Sequence, residues 1–105
     1  MLSISGSAHA AKTSQTVEIV GFVGEDKNIV CNGGNVKWLY PNSTEINGSS
    51  KYQITASEDE SILSIKKIDM MSLGVYKCIA FVNQTFVEKY YNLKLYCEYM
   101  TSFMI

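Results

Sequence analysis

The chain has 105 residues and a formal net charge of −1, and hydrophobic residues make up 47% of it. This length and composition fit one domain with a buried core, and the near-neutral charge gives no electrostatic reason to expect nucleic acid or an anionic membrane as a partner. No apolar stretch approaches the roughly 20 residues that a bilayer-spanning helix needs.

The first 14 residues are small and polar, and we exclude them from the fold as a disordered leader remnant or cloning scar. Ala8-His9-Ala10 has the small-x-small form of a signal-peptidase site, but the basic and apolar regions of a complete signal peptide are absent. The single histidine of the chain lies in this leader. The foldable domain is therefore predicted to span 15–96, followed by a short C-terminal tail at 97–105.

From residue 16 onward, short runs of alternating apolar and polar residues are separated by turn residues. No segment keeps the 3.6-residue period of an amphipathic helix. Turn signals recur about every 8–12 residues, a pattern typical of an all-β sandwich. The predicted strands lie at 16–22, 27–32, 35–40, 51–56, 61–66, 74–82 and 85–96.

Alternation also assigns the two faces of each strand. When Cys31, Trp38 and Cys78 are placed inward, the inward set is almost wholly apolar, so the register supports itself. The segment 32–36 is then a short crossing between two sheets, and 83–84 is a tight hairpin turn. The other inward residues are Ile29, Val36, Tyr40, Tyr52, Ile54, Leu63, Ile65, Tyr76, Ala80, Val82, Leu93 and Leu95.

The cysteines and acidic residues give little sign of a metal site or of catalysis. The three cysteines contain no C-x-x-C pair, so no metal is expected, and one disulfide plus one odd cysteine is the simpler interpretation. Without a histidine in the domain, Ser/His/Asp and Cys/His arrangements lack a base. Acidic residues at 58–60 could do acid–base work, but we interpret them as a solvated turn, because nothing near them in the sequence suggests a cleft. We expect neither an enzyme nor a cofactor.

Several residues together resemble an immunoglobulin domain. A strand cysteine is followed by a core tryptophan, then by "LSIKKI" and by "GVYKC" at 74–78. The resemblance covers about 16–96 and implies an immunoglobulin-like two-sheet Greek-key sandwich with one inter-sheet disulfide between Cys31 and Cys78. It also implies that Trp38 packs on this bridge, that Tyr76 is the tyrosine-corner residue, and that Leu63 and Ile65 are core anchors.

Within this family, the phrases at 24–27, 38–46 and 76–78 look like the first domain of neural cell adhesion molecule and its fasciclin relatives. Cytokine-receptor and receptor-kinase ectodomains have similar phrases. The chain departs from the family at the bottom of the domain, where Ser72 and Lys51 replace the usual Asp and Arg and Asp69 lies three positions before Ser72. The usual ion pair there is therefore in doubt.

Three N-glycosylation sequons begin at Asn42, Asn47 and Asn83. Three in so short a chain favour an extracellular protein, either secreted or the ectodomain of a surface protein, although such triplets also arise by chance. Cys97, just past the last strand, is a candidate for a free thiol or an interchain bridge, or it begins a further domain. An uninvolved tail cysteine is the remaining alternative.

The outward face of the strand that carries Cys78 is unusually apolar. An exposed patch of this kind commonly marks an interaction site, and Tyr and Phe are favoured anchors. The alternatives are a cover of glycan or neighbouring domain, or scattered apolar residues. The candidate interface comprises Leu39, Lys77, Ile79, Phe81 and Tyr90.

These observations predict a non-catalytic extracellular recognition or cell-adhesion module. It would bind another cell-surface or secreted protein, or a second copy as a weak homodimer, through the exposed sheet face. The alternative is a soluble receptor or decoy fragment that binds a cytokine or growth factor, with loops making more of the contact.

Overall fold

The computed structural model describes residues 16–96, which form seven β-strands and one short 3-10 helix. The predicted leader with His9 and the predicted tail with Cys97 lie outside the described residues. In chain order, the elements are β1 (Thr16–Gly21), β2 (Lys27–Asn32), β3 (Gly34–Leu39), β4 (Tyr52–Ala56), β5 (Glu60–Ile65), the 3-10 helix (Met70–Ser72), β6 (Gly74–Val82) and β7 (Thr85–Leu95).

The strands form a four-stranded sheet in the order β1-β7-β6-β3 and a three-stranded sheet in the order β2-β5-β4. Neighbouring strands are antiparallel except β1 and β7, which run parallel. Each predicted strand is present, with ends that lie within one residue of the predicted ends. The predicted all-β, two-sheet sandwich is confirmed.

The core lies between the two sheets and follows the in–out alternation of the strands. In β5, Ser61, Leu63 and Ile65 are at most 1% exposed, and the residues between them are half-buried. Val36, Tyr40, Tyr52, Val82 and Leu95 are partly buried and pack against the core. The fully buried apolar residues are Ile29, Cys31, Trp38, Ile46, Leu63, Ile65, Ile68, Tyr76, Cys78, Ala80, Tyr91 and Leu93.

One residue of the predicted inward set faces inward without being covered. Ile54 lies opposite the buried Leu63 in the β4–β5 register and so shares its face, yet it is 37% exposed. Three buried residues were also missed. Ile46 and Ile68 lie in connections, where no period reveals them, and Tyr91 turns inward from β7 with its hydroxyl donating to the Val30 carbonyl oxygen at 3.1 Å.

The Cys31–Cys78 disulfide that the resemblance implied is confirmed. It joins β2 in one sheet to β6 in the other, with the two Cα atoms 6.6 Å apart. Trp38 lies directly opposite Cys78 in the β3–β6 register, so its indole is placed beside the bridge. The indole Nε1–H donates to Ser61 Oγ at 3.0 Å, which satisfies the one polar atom of this buried side chain.

The crossing between Cys31 and Trp38 is shorter than predicted, because only Gly33 separates β2 from β3. Its φ is +136°, a left-handed value that residues with a Cβ rarely adopt. A Cβ added here would lie 2.5 Å from the Ala80 Cβ. Glycine is therefore required both by the backbone angle and by the close approach of β6.

The bottom of the sandwich does contain an ion pair, despite the missing Asp and Arg. The Lys51 Nζ lies 3.8 Å from an Asp69 carboxylate oxygen and donates to the carbonyl oxygens of Lys66 and Lys67 at 2.9 Å. Asp69 also caps the 3-10 helix, where its carboxylate accepts from Met71 N. The doubt about this ion pair was wrong. Asp69 lies three residues before the position where the family has its Asp, but the 3-10 helix that it caps brings its carboxylate near Lys51.

Candidate protein interface on the four-stranded sheet

The predicted interface residues share the outer face of the four-stranded sheet. β6 lies between β3 and β7, and Lys77 is opposite Leu39 on one side and Tyr90 on the other. The next row has Ile79 between Lys37 and Glu88. We call the outward residues of these three strands the binding face: Lys37, Leu39, Val75, Lys77, Ile79, Phe81, Phe86, Glu88 and Tyr90.

Two aromatic residues form an exposed apolar pair at one end of the binding face. Phe81 and Phe86 lie opposite each other next to the β6–β7 hairpin, with ring centroids 4.9 Å apart. Phe81 is 39% exposed and Phe86 is 64% exposed. The sequence interpretation omitted Phe86, although alternation back from Tyr90 places it on the same face.

The binding face is not the continuous apolar patch that the sequence suggested. Leu39, Ile79 and Tyr90 are only half-buried and still present surface, but Lys37, Lys77 and Glu88 alternate with them across the rows. The physical reason is the register, because Leu39 lies opposite Lys77, and Ile79 lies between Lys37 and Glu88. The face therefore combines apolar surface with ordered charge.

A small polar network orders the middle of the binding face. The Tyr90 hydroxyl donates to a Glu88 carboxylate oxygen at 2.7 Å, and the Lys77 Nζ lies 3.8 Å from the same carboxylate. The Lys77 Nζ also sits 5.7 Å from the centre of the Tyr90 ring, within the range of a cation–π contact. The hydrogen bond to Glu88 is the main cause that raises the pKa of Tyr90 above its ordinary value.

The edge strand β1 continues the face with a further pair of opposite charges. Lys94 on β7 and Glu18 on β1 are joined by a 3.0 Å contact between ammonium and carboxylate. Both side chains are about half exposed, so this pair is screened by solvent. It lies at the opposite end of the sheet from the two phenylalanines, because Phe86 is the second residue of β7 and Lys94 is the last but one.

The three sequon asparagines, Asn42, Asn47 and Asn83, are all exposed. Asn83 forms the β6–β7 turn with Gln84, and the two have φ values of 50° and 67°. Asn42 and Asn47 lie in the connection between β3 and β4. Glycosylation at any of them stays a prediction.

No feature of residues 16–96 forms a metal site, because no three His, Cys, Asp or Glu side chains there lie close enough together to hold an ion. Glu58 and Asp59 lie in an exposed turn between β4 and β5. No helix of the described chain is both long and apolar enough to span a bilayer.

Comparison with known proteins was informative only at the level of structure. No family model matches the chain, and no curated protein does. Solved structures do match. A tandem pair of titin immunoglobulin domains is 25% identical, with a TM-score of 0.65, over 76% of this chain and 43% of that one, so the chain spans less than half of that relative.

Two further matches cover single domains. The M1 domain of titin is 23% identical with a TM-score of 0.64, over 76% of this chain and 89% of that one. A chain from the complex of titin M10 with an obscurin-like 1 immunoglobulin domain is 15% identical with a TM-score of 0.66, over 75% of this chain and 85% of that one. Together with the sheet order and the Cys31–Cys78 bridge, these likenesses show that the chain has the immunoglobulin fold.

Proposed function

We propose that the chain is an extracellular, non-catalytic recognition module that binds another protein through the binding face, and that a second copy of the chain is the partner which this face fits best. The observation that carries the proposal is the row Lys37–Ile79–Glu88, which places opposite charges on either side of an apolar residue.

The binding face is complementary to itself except at Lys77 on the central strand, which a two-fold axis parallel to β6 sets opposite Lys77 of the second copy. The Glu88 carboxylate that lies 3.8 Å from each Lys77 Nζ offsets part of this repulsion. If two copies stack face to face about a two-fold axis parallel to β6, Lys37 of each copy lies over Glu88 of the other. The same rotation places Leu39 over Tyr90 and brings the two Phe81 rings together. Symmetric interfaces of this kind are the most common in homo-oligomers, and buried aromatic anchors carry much of their binding energy.

An extracellular location of the protein is supported by two features. The Cys31–Cys78 disulfide is fully buried, and structural disulfides persist mainly in oxidising compartments. The three sequon asparagines are exposed, as glycan acceptors must be. The phrases shared with adhesion-type immunoglobulin domains agree with both. The titin M10 complex is a precedent for pairing between immunoglobulin domains, at the level of fold alone.

Sedimentation equilibrium tests self-association. We expect the average mass of the oxidised, unglycosylated chain to rise above the 11.7 kDa of the monomer as its concentration approaches about 1 mM, the range of a weak surface contact. Phe81→Asp should weaken the association roughly tenfold or more. Val30→Asp is the matched control, because Val30 is also an exposed strand residue, 46% exposed, but on the other sheet.

A charge swap tests the geometry. Lys37→Glu alone and Glu88→Lys alone should each weaken the dimer, because like charges then face each other. The double swap should restore much of the association. A wild type that stays monomeric throughout contradicts homophilic pairing, as does a dimer that disappears on reduction or one that Val30→Asp weakens equally.

A further inference from the structure

The connection after β3 folds back as a tight hairpin whose geometry is unusually well defined. The Ser43 N–H donates to the Tyr40 carbonyl oxygen and the Tyr40 N–H donates to the Thr44 carbonyl oxygen, both at 2.8 Å. Pro41 occupies the position that type I turns favour for proline, and Ser43 follows in the left-handed region with a φ of 76°. This is a three-residue hairpin loop with a bulge.

The hairpin fixes the side chain of Asn42. Its Oδ1 accepts from the Thr44 N–H at 3.0 Å and from the Thr44 hydroxyl at 2.7 Å. The backbone N–H of Thr44 requires an acceptor, so this bond assigns Oδ1 and leaves Nδ2 as the free amide nitrogen. Within residues 16–96, no hydrogen bond engages Nδ2. The nitrogen that a glycan would modify is therefore oriented and available.

An open groove of about 400 Å³ lies beside this asparagine. Tyr40, Asn42 and Thr44 all line it, so the tyrosine two residues before the asparagine and the threonine two residues after it face the same space. Tyr40 is held in place by an edge-to-face contact with Tyr52, with ring centroids 5.0 Å apart. The full lining is Tyr40, Pro41, Asn42, Thr44, Tyr52, Met71, Leu73 and Tyr76.

We propose that Asn42 carries an N-linked glycan whose first N-acetylglucosamine occupies this groove against the Tyr40 ring and stabilises the fold. The groove lining contains no charged side chain. An uncharged pyranose, with an apolar C–H face and polar edges, fits an aromatic wall flanked by tyrosine hydroxyls. The proposal rests on the extracellular route proposed above but does not depend on the binding face.

The chemistry of attachment uses a lipid-pyrophosphate-linked oligosaccharide as the donor. The Asn42 Nδ2 attacks the anomeric carbon of the first sugar, and a C–N bond forms there. The bond from that carbon to the pyrophosphate oxygen breaks, and the lipid pyrophosphate leaves with the electron pair. The amide nitrogen loses one proton to a base of the transferase, and the second proton remains on it.

The other two sequons lack this arrangement. Phe81-x-Asn83-x-Thr85 repeats the aromatic pattern in sequence, but Asn83 lies in a two-residue turn and Phe81 packs on Phe86 instead. For Asn47, the Ser49 hydroxyl accepts from the Tyr52 N–H at 3.1 Å, and residue 45 is a glutamate. Asn83 is thus a control matched in sequence, and Asn47 is a control without an aromatic residue.

The first experiment measures occupancy in the full chain secreted from mammalian cells behind a cleavable signal peptide. Release of glycans by peptide N-glycosidase in ¹⁸O-water marks each occupied asparagine as ¹⁸O-aspartate, which mass spectrometry reads site by site. We expect Asn42 to be marked. An unmarked Asn42 in the secreted chain overturns the proposal.

The second experiment measures what the sugar does. Glycans are trimmed to one N-acetylglucosamine, and urea unfolding is compared with that of Asn42→Gln and Asn83→Gln. We expect the Asn42 sugar to lower the unfolding equilibrium constant by a factor of roughly ten, the effect of burying a few tens of Å² of apolar surface. The Asn83 sugar should have little effect. Equal effects at both sites overturn the proposal.

Tyr40 variants locate the contact. The stabilisation by the Asn42 sugar should persist in Tyr40→Phe, which keeps the ring, and disappear in Tyr40→Leu. If Tyr40→Leu does not fold, NMR of the wild type decides. The sugar protons at Asn42 should shift upfield through the ring current and show nuclear Overhauser contacts to the Tyr40 ring. Absence of both contradicts the proposal.

Self-association of Asn42→Gln separates the two proposals. The groove and the binding face use different residues, so this variant should dimerise as the unmodified chain does. If neither Asn42→Gln nor the unmodified wild type dimerises, the homophilic function proposed above is overturned. The glycan proposal for Asn42 is not affected by that outcome.

Discussion

The Tyr76 hydroxyl donates a 2.6 Å hydrogen bond to the carbonyl oxygen of Ser72, four residues earlier. Ser72 is fully buried, and Tyr76 is 1% exposed. The bond ties the start of β6 to the 3-10 helix that also brings Asp69 to Lys51. A single buried phenol therefore holds the connection at the bottom of the sandwich.

Removal of this hydroxyl should destabilise the domain. In Tyr76→Phe, the buried Ser72 carbonyl loses its donor, and an unsatisfied buried acceptor costs about 1–3 kcal/mol. Urea unfolding measures the loss. Tyr90→Phe is the control, because its hydroxyl bonds an exposed carboxylate and should cost about 0.5 kcal/mol or less. Equal losses in the two variants would contradict the role given to Tyr76.

Burial of Tyr76 should also make stability sensitive to alkali. Desolvation, followed by its bond with Tyr52, raises the pKa of Tyr76 above its ordinary value of 10.0. Below pH 10, both the folded and the unfolded state keep the proton. Above it, the unfolded chain loses the proton first, so the free energy of unfolding falls, by at most about 1.4 kcal/mol per pH unit for one tyrosine.

Urea titrations between pH 9 and 11 check this slope, with Tyr76→Phe as the comparison. The decline should be shallower in the variant, and some slope should remain because burial also raises the pKa of Tyr91. Identical slopes in the two proteins would assign the alkaline sensitivity to other groups.

The buried bond between Trp38 and Ser61 gives a third prediction. Ser61→Ala leaves the indole N–H without its acceptor in the core and should cost about 1–3 kcal/mol. Ser64→Ala is the matched control on the same strand, because its hydroxyl bonds the exposed side chain of Asn28. Chemical denaturation compares the two, and a cost for Ser61→Ala no greater than that for Ser64→Ala would show that water replaces the serine.

Gly33 should be the least replaceable glycine of the crossing. Gly33→Ala adds both backbone strain at a φ of +136° and a clash with Ala80, which together should cost roughly 3 kcal/mol. Gly34→Ala is the control, since a Cβ at Gly34 would lie 3.6 Å from the Glu58 carbonyl oxygen, an ordinary van der Waals contact. Thermal and urea unfolding of both variants measure this cost. Equal stability of the two variants would contradict the requirement for glycine at position 33.

Ser43 offers a stabilising substitution. It has a φ of 76°, which glycine adopts with less strain than serine. Ser43→Gly should therefore raise the free energy of unfolding by about 0.5 kcal/mol. This figure is the strain that is relieved minus the cost of the extra entropy that glycine gives the unfolded chain. Ser57→Gly, at a position without positive φ, should instead lower it. The sequon at Asn42 is kept in Ser43→Gly, so occupancy can be compared in the same protein.

The strands were predictable from sequence because alternate residues of a half-buried strand face the core and the solvent, and so alternate between apolar and polar. In β5, Leu63 and Ile65 follow that rule closely. Alternation assigns Ile54 correctly to the face of Leu63, but it does not reveal how far the other sheet covers that face, and Ile54 is 37% exposed. Alternation also gives no information about the connections between strands, where Ile46 and Ile68 lie buried in the core.

The binding face and the Asn42 groove could not be predicted from sequence alone, because they depend on the strand register and on the turn geometry. The rows across β3, β6 and β7 decide that Lys37 and Glu88 separate the apolar residues, and no single strand contains that information. Likewise, Tyr40-x-Asn42-x-Thr44 and Phe81-x-Asn83-x-Thr85 have the same pattern, but their loops differ by one residue. Asn42 follows a proline in a three-residue loop, whereas Asn83 opens a two-residue turn.

The parallel pairing of β1 with β7 has a mechanical consequence. The six residue pairs from Thr16–Tyr90 to Gly21–Leu95 lie between the first and the last strand of the described chain. β1 begins at Thr16 beside Tyr90, in the middle of β7, and β7 ends at Leu95 beside Gly21, so the two ends lie at opposite ends of this ladder. A force that pulls these two ends apart would load the whole ladder in shear, so its hydrogen bonds would resist together and not open one after another.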